Sequence, residues 1–94
     1  MLMQIEELNL DQIFYFVKYF SYKKFWFQCL NMLEKQTQLP LKQKHEYFNV
    51  VGFVYYKMAQ YYLAELYYRV SLNYKPDYQK ALKNLSKIEE MRLK

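Results

Sequence analysis

Ninety-four residues, 53% hydrophobic and 21% aromatic, suffice for one buried core and are too rich in core-forming side chains for a disordered chain. One Gly and two Pro are too few turn residues for an all-β domain, so helices joined by short loops are expected. The net charge of +5 is one-sided: four lysines balance four acids up to Leu39, whereas eight lysines and two arginines face five acids from Pro40 onward.

The first residues, Met1-Leu2-Met3-Gln4-Ile5-Glu6-Glu7, carry acids where a signal peptide carries bases, so no targeting segment is expected. After a short or frayed start, apolar periodicity predicts one helix over Asp11–Phe20, a turn at Ser21-Tyr22 and a second helix over Lys23–Gln36. Gln38-Leu39-Pro40-Leu41 reads as a loop. Helices are then expected over Lys42–Met58, Gln60–Asn73 and Asp77–Arg92, with Asp77 as the cap of the last. The expected fold is therefore all-α, about five helices in one domain, and no window approaches the roughly 18 unbroken apolar residues of a membrane span.

A repeat organises the second half. Phe48-x2-Val51-Gly52-x2-Tyr55, then Ala64-x3-Tyr68, then Pro76, resembles the tetratricopeptide pattern of a large residue, a second large residue, Gly, an aromatic, a small residue and a helix-ending Pro. Adding its period of about 34 residues lands on Leu82, Leu85, Ser86 and Glu89. The physical reading is a seam between antiparallel helices. Phe48, Val51, Gly52 and Tyr55 share one helix face, Gly52 lets the partner helix approach at Ala64, and Tyr61 and Tyr68 supply bulk on either side. Pro76 ends the second helix. Phe16, Phe20, Phe25 or Trp26, Cys29 and Leu33 align as a degenerate earlier repeat without the Gly. The chain thus divides into a degenerate repeat over 11–39, a well-formed repeat over 42–76 and a capping helix over 77–93.

In such helix pairs the concave face is lined by the first helix of each pair. Glu46, Asn49, Phe53, Tyr56 and Lys57 are expected on that face in the good repeat, and Lys80, Lys83, Asn84 and Lys87 in the last helix. The resulting basic, partly aromatic trough suits an acidic or carboxylate-bearing peptide, with Asn side chains bonding its backbone. Lys80, Lys83 and Lys87 equally fit a plain solvated helix face. The trough lacks the full basic and Asn set of chaperone-tail clamps. The pairs Tyr55-Tyr56, Tyr61-Tyr62 and Tyr67-Tyr68 could stack on RNA bases, but one member of each is expected in the core.

Catalysis finds no support. His45, the sole histidine, lacks an acid–base partner at helical spacing and reads as a surface residue. Cys29, the sole cysteine, lies where a small buried side chain is wanted among aromatics, which raises a thiol pKa, and it can form no disulfide within the chain. No metal-ligand set or phosphate loop is seen, so no metal or cofactor is expected.

The stretch from His45 to Tyr56, with Gln60-Tyr61-Tyr62-Leu63-Ala64 and Lys75-Pro76-Asp77-Tyr78-Gln79-Lys80-Ala81-Leu82-Lys83-Asn84-Leu85, resembles the small tetratricopeptide photosystem I assembly factors of cyanobacteria and red-lineage plastids. Their repeats run H-N-x-x-G-F-x-Y, Q-Y-x-x-A and L-P-D-Y-x-x-A-L-x-N-L. The resemblance covers about the C-terminal half. It implies a non-catalytic scaffold in the plastid stroma or peripherally on the thylakoid, holding photosystem I subunits or assembly intermediates. Without it, the residues themselves point to an adaptor for an acidic peptide in a reducing compartment, or to an RNA-binding helical repeat.

Overall fold

The computed structural model describes residues 9–36 and 39–93. The expected start over residues 1–8 and Gln38 of the expected loop lie outside them. Five helices form: α1 (Leu10–Tyr22), α2 (Trp26–Glu34), α3 (Lys44–Lys57), α4 (Tyr61–Tyr74) and α5 (Gln79–Arg92), with one 3-10 turn over Leu41–Gln43. No strand occurs among the described residues, so the fold is all-α. The chain divides into two compact units, residues 1–39 with α1 and α2, and residues 40–94 with α3 to α5.

In the first unit, α1 begins at a capping box. The Asn9 side chain accepts from the Gln12 N–H at 2.9 Å, and the Gln12 side chain accepts from the Asn9 N–H at 2.9 Å. Leu10, Ile13 and Val17, at three- and four-residue steps, form its buried stripe, and Cys29, Leu30, Met32 and Leu33 form that of α2. The turn comes later than expected. Ser21 and Tyr22 remain helical, and Lys23-Lys24 makes the turn, with Lys24 at φ 62°. Lys24 N–H bonds the Ser21 carbonyl at 3.0 Å and Phe25 N–H bonds the Phe20 carbonyl at 2.8 Å. This pair of closing bonds satisfies orphan carbonyls at a helix end and shifts the start of α2 from Lys23 to Trp26. The Cys29 thiol donates to the Val17 carbonyl at 3.5 Å, and burial pushes its pKa up.

In the second unit, α3 and α4 pack antiparallel, with Gly52 of α3 against Ala64 and Tyr68 of α4, all three buried. A Cβ added at Gly52 would stand 2.7 Å from the Tyr68 ring and 3.1 Å from the Ala64 carbonyl oxygen. The missing side chain therefore makes room for a ring as well as for the facing backbone. Tyr61 departs from expectation: it is exposed, edge-on to Tyr56 at 5.6 Å, because it opens α4 beyond the reach of the seam. The Ser71 hydroxyl donates to the His45 carbonyl at 2.7 Å at the other end of the pair.

Beside the seam, aromatic rings interleave. Tyr55 stacks on Tyr67 at 5.5 Å, Tyr67 on Phe48 at 6.2 Å and Phe48 on Tyr74 at 5.6 Å, with Lys44 Nζ 5.5 Å from the Tyr74 ring. Residues 48 and 55, like 67 and 74, lie two helical turns apart, so the rings of one helix fit between those of the other. Of the Tyr67-Tyr68 pair, Tyr68 fills the core and Tyr67 the ladder. The Tyr61-Tyr62 pair places neither residue in the core.

α4 ends at Tyr74, with Lys75 extended at φ −147°, ψ 91° before Pro76. Asp77 is not the cap expected of it. Tyr78 occupies the N-cap position of α5 and makes no side-chain capping bond. Ala81, Leu85 and Ile88 form the buried stripe of α5, and Leu85 and Ile88 share a core cluster with Ala64 and Tyr68. Leu82, Ser86 and Glu89, which period extension assigns to a seam, are exposed, because α5 meets α4 with its neighbouring face. Glu65 joins α4 to α5 by pairing with both Arg69 and Arg92.

Candidate functional site

The outward residues of α3 and α5 meet in one trough. Asn49, Val50 and Phe53 from α3 and Lys80, Lys83, Asn84 and Lys87 from α5 line a shallow groove of about 340 Å³. A second hollow of about 250 Å³ is lined by Phe53, Tyr56, Lys57, Tyr68, Asn84 and Lys87. Phe53, Asn84 and Lys87 border both, so eight of the nine residues expected on the concave face are brought together. Steps of three and four residues along each helix produce the two walls, and α4, packed against both helices, holds them.

The floor is polar and already paired. Asn84 Nδ2 donates to Asn49 Oδ1 at 3.0 Å, tying α5 to α3. Asn49 is only 7% exposed and is also a hydrogen-bond partner of Tyr78. Asn49 is thus not the free peptide-backbone partner expected of it; two amides facing each other across a narrow gap satisfy one another first.

The rim is cationic. Lys57 Nζ lies 5.5 Å from the Phe53 ring centre and 6.0 Å from that of Tyr56, within cation–π range. Lys80, Lys83 and Lys87 are exposed and make no ion pair with a described residue. No carboxylate is among the described residues that line the groove. Glu46, expected on the same face, stands outside both hollows, 4.0 Å from His45 Nε2. The arrangement can neutralise a carboxylate by point charge while Phe53 and Tyr56 offer apolar contact.

His45 is not the surface residue it resembles in sequence. Its ring packs edge-on against Tyr78 at 4.7 Å and is largely buried. Burial raises the Tyr78 pKa, the nearby Glu46 charge raises it further, and the hydrogen bond with Asn49 pulls the other way. Burial, with Tyr56 second, holds the Tyr68 hydroxyl far above its usual pKa, so it stays neutral under the trough.

Sequence reasoning missed Val50 and Tyr78. Val50 neighbours two predicted wall positions, so a wider face would have included it. Tyr78 follows a Pro-Asp turn and carried no periodic signal.

No protein-family model, curated protein or solved structure matches the chain.

Proposed function

We propose that the chain is a non-catalytic, tetratricopeptide-type protein-binding scaffold that assists assembly of photosystem I, in the plastid stroma or peripherally on the thylakoid. The observation that carries the scaffold reading is the trough: four lysines around Phe53 and Tyr56, over a floor of paired amides, with no carboxylate among the described residues that line it. Such a surface recruits an acidic segment and offers no nucleophile or acid–base pair for chemistry. The photosystem assignment is supported by the resemblance of His45 to Leu85 to that family of assembly factors.

Capture from solubilised thylakoids tests the assignment. The chain is expected to enrich photosystem I subunits, and Lys83→Glu with Lys87→Glu is expected to abolish that enrichment. Equal recovery of unrelated membrane complexes would overturn the photosystem reading and leave an adaptor for some other acidic peptide. An RNA ligand is disfavoured because Tyr55 and Tyr67 stack on each other, occupying faces a base would use. Phosphate binding would in any case weaken steeply with salt in proportion to the number of contacts.

A further inference from the structure

We infer that the outward face of α1 and the turn after it form a docking surface for an anionic lipid bilayer. α1 carries rings on its outward side as well as apolar residues on its buried one, with Asp11, Gln12 and Lys18 between them. Leu10, Ile13 and Val17 are buried, yet the opposite side carries Tyr15, Tyr19 and Tyr22, one four-residue and one three-residue step apart, with Tyr15 68% and Tyr22 83% exposed. The turn and the start of α2 add Phe25 and Phe27, the latter 76% exposed. α5, by contrast, presents charged residues such as Lys80, Lys83, Lys87 and Glu90 outside its buried stripe. A row of exposed rings along the outward side of a helix is apolar surface of the kind that marks a contact.

Charge decides what makes that contact. Three lysines, Lys18, Lys23 and Lys24, flank these rings, against a single acid on α1, Asp11 in its first turn. All three are exposed. Tyrosine and phenylalanine rings flanked by lysines suit the boundary between headgroups and acyl chains, where a ring sits among chains, a phenol reaches water and an ammonium meets phosphate. No helix among the described residues is long and apolar enough to cross a bilayer, so the contact is interfacial, with α1 lying along the surface. The surface belongs to the first unit and the trough to the second, so neither proposal depends on the other.

Vesicle flotation tests it. The full chain is expected to float with vesicles of phosphatidylcholine and phosphatidylglycerol and to stay behind with phosphatidylcholine alone. Tyr22→Ser with Phe27→Ser should abolish flotation. Lys23→Gln with Lys24→Asn should lower the bound fraction about tenfold or more, and added salt should act in the same direction. Tyr62→Ser, an exposed tyrosine of the second unit, should leave it unchanged. Circular dichroism should show full helix content in every variant, since all these side chains are exposed. Failure to float with anionic vesicles would overturn the proposal, as would flotation indifferent to both double variants. So would a concentration-dependent dimer lost with Tyr22→Ser and Phe27→Ser, which would assign the face to a second copy of the chain.

Discussion

Lys24 and Ala59, 35 positions apart, hold the same left-handed conformation at φ 62° and 61°. The residues after them, Phe25 at φ −90°, ψ 70° and Gln60 at φ −94°, ψ 72°, open α2 and α4 alike. The closing bonds also match: Gln60 N–H to the Tyr55 carbonyl at 2.9 Å repeats Phe25 N–H to the Phe20 carbonyl at 2.8 Å. On this spacing Val17 takes the place of Gly52, Cys29 that of Ala64 and Leu33 that of Tyr68. The second hairpin fits a whole ring over a residue with no side chain; the first uses medium-sized side chains at the same places. Helix direction is set by the turn, whereas the seam needs only a suitable total volume shared across it.

The most damaging way to break this comparison is to move one seam toward the other by a single step. Gly52→Val should cost about 1–3 kcal/mol in urea unfolding, because the new Cβ would meet the Tyr68 ring at 2.7 Å. Adding Tyr68→Leu should recover much of that loss, since together the two changes install the first hairpin's pair. A double variant no better than the sum of the singles would refute the exchange of volume. Next, Asn49→Ala should cost about 1–3 kcal/mol by stripping Asn84 of its partner, and should leave α1 and α2 unaffected in hydrogen exchange.

A smaller effect separates the hairpin from the helix appended to it. The hydrogen bond from Arg92, then that from Arg69, hold the Glu65 carboxyl below its ordinary pKa. The folded value lies below the unfolded one, so the ion pair stabilises above the usual glutamate range and loses its contribution as pH falls through the folded value. Glu65→Gln should therefore lower stability near neutral pH by under about 1 kcal/mol, and the gap from the parent should close in acid. A gap that persists in acid would show the side chain acting through packing. Smallest of all, Ala59→Gly should stabilise by about 0.5 kcal/mol, relief of left-handed strain outweighing the extra chain entropy. Lys24→Gly should gain a similar amount, and unequal thermal midpoint shifts would show that the two turns are not equivalent.

Much of the second unit was legible. Gly52, Ala64 and Tyr68 announced the seam, and Pro76 announced the end of α4, because each answers to a local rule that admits few residue types. The capping box at Asn9 and Gln12 was equally written in the sequence and was passed over. The left-handed turns were hidden because Lys24 and Ala59 are not the glycines that usually mark such positions. For the same reason Ser21-Tyr22 looked like the break in the first hairpin, and Asp77 looked like a cap that the Pro-Asp turn in fact places one residue too early.

Residue spacing by itself determined five helices and which residues share a helix face, since helical periodicity is a property of the chain alone. Only packing decided which face meets which neighbour. It buried Asn49 against Asn84, turned Tyr61 outward, put His45 beneath Tyr78 and set the buried stripe of α5 at Ala81, Leu85 and Ile88. Those choices depend on side chains from distant parts of the chain competing for the same space, and no local pattern carries that competition.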